Sequence, residues 1–173
     1  KEEKHHEAHQ EGKSLTAAQW FLTIGLALVA AVIVLTNVVI NVRVPGLVEK
    51  SGMGNVQTAG LILSTMQLIG IAAGLSFAPL LHYFKENLLT VAGVAFGLTA
   101  IMIGLVPNLL LLSVVTIASG FVYSVSLTAI FHILSDRIPS KSLNQATSIV
   151  ILGCSAGATA TTFFLSLISQ FSS

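Results

Sequence analysis

Asn37 and Asn41 stand four residues apart inside an otherwise apolar run, a spacing that puts both on one face of a helix. Ser64 and Gln67 share a face in the next apolar run. Further on, Ser119, Tyr123 and Ser126 recur at i, i+4 and i+7, beside a second stripe of Ser124, Thr128 and His132. Ser148, Ser155, Thr159 and Thr162 make a longer stripe near the end of the chain. Amides, hydroxyls and a phenol arranged this way can hold the polar atoms of a small molecule.

The equipment for bond-breaking chemistry is thin. No apolar run contains an acidic residue, so a pair of carboxylates cannot share acid and base roles within one. The chain has no HExxH, no CxxC and no phosphate-cradling glycine loop with its lysine. The only acid near His132 is Asp136, which leaves a boundary site there as the one enzymatic alternative. An enzyme is not expected, and no cofactor is implied. His5 and His9 are also four apart and could share a metal on a helix, but a tail of Glu and Lys around them reads as a solvated linker. The lone Cys154 can form no disulfide within the chain.

The elements that must position these residues are membrane spans. The chain is 54% hydrophobic and 9% charged, with a mean hydropathy of +0.88, whereas soluble domains are about 25% charged. Its net charge of +1 argues against a nucleic-acid partner. From Leu88 to Leu134 there is no Asp, Glu, Lys or Arg, and only Pro107-Asn108 looks like a break. A spanning helix needs about 20 apolar residues, so this run holds two helices joined by a short turn. Helices satisfy their own backbone groups, as lipid requires.

The sequence therefore predicts an all-α polytopic transmembrane bundle. A tail over residues 1–14 precedes five spans at about 15–42, 56–81, 88–106, 108–134 and 142–168. Thr16 with Gln19, and Ser142 with Gln145, read as capping boxes, and Asn55 as a helix cap. Arg43-Val44-Pro45-Gly46 is expected to end the first span, and Pro79 to kink the end of the second. Lys1, Lys4, Lys13, Lys85, Arg137 and Lys141 fall on the side of the tail, and only Arg43 and Lys50 on the other. By the positive-inside rule the tail is cytoplasmic, which fits an integral protein of the plasma (inner) membrane.

Gly70/Gly74, Gly93/Gly97 and Gly153/Gly157 are three GxxxG pairs, each expected to press one helix closely on another. Polar groups at membrane depth face the bundle interior or water. Four striped spans and one nearly featureless third span thus predict a polar cavity with the third span outside it. Interhelical hydrogen bonding, at about 0.6 kcal/mol per contact, accounts for the small hydroxyls equally well. Asn37, Asn41, Gln67 and Tyr123 favour the cavity.

The order of these parts resembles the C-terminal half of a major facilitator superfamily transporter, from its seventh to its eleventh helix. The resemblance rests on an outward loop, a short basic turn, a near-absent outer turn at Val106-Pro107-Asn108-Leu109, and a Pro-containing loop entering a glycine-rich helix. Gly70-Ile71-Ala72-Ala73-Gly74, Gly120, Asn144-Gln145-Ala146 and Leu152-Gly153-Cys154-Ser155-Ala156-Gly157 carry it in detail. In the family's inner-loop signature His82 stands where an Asp is usual, and Glu86-Asn87 replace basic residues.

The resemblance implies a secondary transporter working by alternating access, with a small organic solute as its partner. Its other half and final helix would lie outside this chain. Asn37, Asn41, Gln67, Ser119, Tyr123 and Ser126 would then touch the solute, and drug or metabolite efflux coupled to protons is the activity implied. A non-transporting membrane scaffold built on the GxxxG faces is the competing reading.

Overall fold

A computed structural model describes residues 15–171, and every regular element among them is helical. The tail and its histidines lie outside the described residues. Five stretches are long and apolar enough to cross a membrane, as the composition predicts.

The first helix, α1 (Ala17–Lys50), opens on the expected capping box: Gln19 N–H donates to Thr16 Oγ1, and Thr16 N–H to Gln19 Oε1. It does not stop at Pro45. Proline removes one N–H from the ladder and crowds the carbonyl four residues back. Yet Val44 and Val48 on either side are fully buried, and that packing carries the helix another turn. Gly52, at φ +63°, makes the turn that ends it, a left-handed conformation that glycine tolerates.

Asn55 caps α2 (Val56–Leu75) by accepting from Thr58 N–H. The second span is not one helix. It breaks at Ser76 and resumes as α3 (Phe77–Phe84). Pro79 explains the position: it cannot donate to the carbonyl of Leu75, four residues before it, so the break falls a turn upstream of the proline. A 3-10 turn over Lys85–Asn87 then leads into α4 (Leu88–Leu105).

Asn108 caps α5 (Leu109–Arg137), accepting from Leu110 N–H. The last helix, α6 (Ser140–Phe171), starts directly behind Pro139. Ser142 therefore sits within the first turn, buried, rather than at the cap the sequence pattern predicts.

The packing has a central pair and two flanks. α6 packs along α1, α2 and α4 pack along α5, and α1 meets α5 in the middle. The core follows a stripe of α1 through Ala30, Ile33, Asn37, Ile40, Val44 and Val48, facing Leu112, Val115, Thr116, Ser119 and Ser126 of α5. Backbone approaches set the registers. A Cβ on Gly153 would lie 2.5 Å from the Ala27 carbonyl oxygen, and one on Gly157 would meet Ala31. One turn further, Thr161 Oγ1 reaches the Leu35 carbonyl at 3.4 Å. On the other flank a Cβ on Gly120 would lie 2.6 Å from the Met66 carbonyl, and Gly70 packs on Ser124. Gly74, Gly93 and Gly97 face open space. The expected contact at Gly93/Gly97 is thus absent, because α4 meets α5 through Ala92, Phe96 and Ile103 instead.

Candidate functional site

Asn37 and Asn41 are joined as the helical spacing demands. Asn41 Nδ2 donates to the Asn37 carbonyl at 2.8 Å and to Asn37 Oδ1 at 3.1 Å. The backbone bond fixes Asn41 as donor, which in turn points Asn37 Nδ2 away from it. That Nδ2 is buried and has no hydrogen-bond partner. On α5, Thr116 is fully buried and its hydroxyl also lacks a partner. Thr116 is exceptional: Ser113, Ser126 and Thr128 on the same helix each donate to the carbonyl four residues back. Asn37 Nδ2 and Thr116 Oγ1 are the two buried side-chain atoms found unpaired among the described residues.

Their depths are comparable. A hollow of about 310 Å³ is lined by Thr36, Ile40 and Arg43 of α1 together with Ala100 and Ile103 of α4, so Ile40 is level with about Ile103. Phe96, two turns deeper on α4, holds the Tyr123 ring at 5.9 Å between centroids. Counting helical rise from these contacts puts Asn37 and Asn41 level with the Thr116–Tyr123 stretch of α5.

The six predicted residues therefore divide. Asn37, Asn41, Ser119 and Tyr123 lie at similar depth on α1 and α5, two helices that pack together. Ser119 is fully buried and donates to the Thr116 carbonyl at 2.6 Å; Ser126, also buried, donates to Val122. Both hydroxyls are taken up by their own helix. Tyr123 is partly buried against Phe96. Gln67 is apart from the others, exposed on the flank of α2 about 100° round the helix from Met66, which meets α5; Ser64 is exposed too.

The hydroxyl stripe of α6 is turned outward too. Ser148, Ser155, Thr159 and Thr162 are all exposed, on the side opposite Gly153 and Gly157. Each flanking helix thus packs a glycine-bearing face on a central helix, and its outer face mixes these polar residues with large apolar ones, Leu61, Leu68, Ile71 and Leu75 on α2 and Ile151 and Leu152 on α6.

Three hollows of about 520, 310 and 170 Å³ are lined by residues other than the predicted six. The largest lies at one end of the bundle, between α3, the start of α4 and the end of α5. His132, on its wall, stands edge-on to Phe77 at 5.8 Å between centroids. Asp136 lies near Arg137 Nε at 3.9 Å, so the acid nearest His132 in sequence is turned to a guanidinium. Thr116 and this end hollow are what the sequence reading misses. Thr116 lies between the stripes, and only packing shows its hydroxyl facing inward. The chain matches no known protein family, no curated protein sequence and no solved structure.

Proposed function

We propose that this chain is part of a secondary active transporter that moves a small organic solute by alternating access, as one half of a major-facilitator-type bundle. The observation that supports the reading best is the pair of outward polar faces. α2 and α6 occupy equivalent places, each laid on one of the two central helices, and both turn polar residues away from the bundle. Gln67, whose amide has no partner among the described residues, is disfavoured against lipid, so the face that bears it calls for protein or water. A second bundle half facing it, with a water-filled path between, supplies both.

On this reading α1 and α5 form the wall of the path, with Asn37, Asn41, Thr116 and Tyr123 as its polar centre. Gln67, Ser155 and Thr159 stand where the two halves meet. The repeated pairing of α6 on α1 and α2 on α5, through close glycine approaches on both sides, supports the internal repeat that such transporters are built from. No acidic side chain stands at this depth, and the one nearby charge, Arg43, lines the adjoining hollow beside Ile40. A non-transporting scaffold uses the same outward faces for a permanent partner.

The test is accessibility in the native membrane. In a Cys154→Ser background, single cysteines at Gln67, Ser155, Thr159, Val94 and Leu98 are challenged with a membrane-impermeant thiol reagent from either side. Labelling at the first three, absent at the exposed α4 positions Val94 and Leu98, is the expected result. Equal labelling at all five, or at Val94 and Leu98 alone, overturns the path assignment. Labelling that never changes with added solutes points to the scaffold.

A further inference from the structure

We propose that the end hollow binds the phosphate headgroup of an anionic membrane lipid, whose acyl chain lies in the apolar furrow beside it. This assignment is independent of the transport reading. The hollow, about 520 Å³, is walled by His82, Lys85 and Glu86 on one side and by His132, Asp136 and Arg137 on the other. Its floor is apolar, made by Leu81, Leu88, Leu89, Ala129 and Ile133. Leu88 is shared with the furrow, which runs along α4 and α5 past Phe84, Val91, Ala95 and Phe121 with no polar lining at all. A polar mouth at the end of a bundle, next to an apolar furrow along its flank, matches an amphiphile lying parallel to the helices.

The charges specify which amphiphile. Arg137 is shared loosely between two carboxylates, 4.0 Å from Glu86 and 3.9 Å from Asp136, all three well exposed. Exposed pairs of this length hold their partners weakly. Lys85 has no ion-pair partner among the described residues. It is also the only non-glycine residue among them with positive φ, at +49°, a conformation that side-chain-bearing residues rarely adopt. The turn it makes places an unpaired ammonium at the mouth of the hollow. Lys141, close in sequence to the end of α5, adds to the basic character of this end. Counted with Lys141, this end carries three basic side chains against Glu86 and Asp136; clusters with a basic excess at one membrane face recruit anionic lipid headgroups, and a phosphate here gains Lys85 and the N–H groups of Arg137 that its loose pairs leave free.

The experiment uses the full chain in nanodiscs of phosphatidylcholine alone or with phosphatidylglycerol, read by thermal unfolding and by lipid retained in native mass spectrometry. Phosphatidylglycerol is expected to raise the wild-type Tm by about 5 °C and to remain bound. Lys85→Gly removes the ammonium while relieving the backbone, so folding is retained, and it is expected to lose most of the shift and the retained lipid. Arg43→Ala, at the opposite end, keeps both. A wild-type Tm indifferent to phosphatidylglycerol, or a Lys85→Gly variant that keeps the full shift, overturns the proposal. So does an equal shift from inorganic phosphate in phosphatidylcholine discs, which identifies a water-soluble anion as the ligand.

Discussion

Glycine-to-alanine substitution should act with opposite sign at two of the chain's GxxxG pairs. At Gly153 an added Cβ falls 2.5 Å from the Ala27 carbonyl oxygen and 3.0 Å from its carbon; at Gly157 it falls 2.9 Å from two backbone atoms of Ala31. Ordinary contacts lie at 3.4–4 Å, and backbone cannot swing aside as a side chain can. α6 must retreat by roughly 0.5–1 Å, a gap that forfeits about a quarter to a half of each dispersion contact along the seam. Overpacking of this kind costs about 1–3 kcal/mol per site, against about 1 kcal/mol gained from alanine's helix propensity. The double variant Gly153→Ala/Gly157→Ala should therefore lose about 2 kcal/mol net. Gly93 and Gly97 meet nothing within 4 Å, so Gly93→Ala/Gly97→Ala keeps only the propensity gain, up to about 2 kcal/mol. The assay is reversible unfolding of the full chain in mixed micelles, followed by far-ultraviolet circular dichroism. Equal destabilisation by the two pairs, or stabilisation at α6, refutes the assignment of the seam.

Other consequences are as direct. Thr116→Val removes a buried hydroxyl with no partner and should leave stability unchanged or raise it by up to about 1 kcal/mol. Thr161→Val, by contrast, loses a hydroxyl bonded to Gly157 at 3.0 Å and within reach of Leu35, and should cost about 1 kcal/mol in the same unfolding assay. Pro79→Ala restores a donor for the Leu75 carbonyl and should fuse α2 with α3. Hydrogen exchange at the Ser76–Leu81 amides is expected to slow, and unchanged exchange would assign the break to packing rather than to the proline.

What was legible in the sequence was what local chemistry dictates. The presence of five apolar helices, the Thr16 and Asn55 caps and the tight Pro107-Asn108 turn depend on hydropathy and neighbouring residues, and they are found as expected. Pro45 shows the limit. A proline weakens its own turn, but whether the helix ends depends on what Val44 and Val48 bury, and those partners come from other helices. Gly93/Gly97 and Gly153/Gly157 are indistinguishable as strings, yet one pair faces open space and the other the backbone of α1. The polar stripes had the same ambiguity. Periodicity places Ser119 and Ser126 on one face, but only packing shows that both hydroxyls turn back on α5.

The outward polar residues do not all weigh equally in the functional argument. Ser148, Thr159 and Thr162 each donate to a carbonyl four residues earlier. Hydroxyls satisfied in this way stand in lipid at small cost, so the α6 stripe alone is compatible with a lipid-facing surface. Gln67 has no such recourse. Its side-chain amide carries two donors and an acceptor, is exposed on α2, and forms no hydrogen bond to the described residues. By register with Gly120 through Met66 it lies well inside the span, out of reach of either membrane surface. An unsatisfied amide there costs several kcal/mol against hydrocarbon, more than most single contacts in the bundle contribute. On the transport reading, the face of α2 that bears Gln67 meets water or the second bundle half, which relieves that cost.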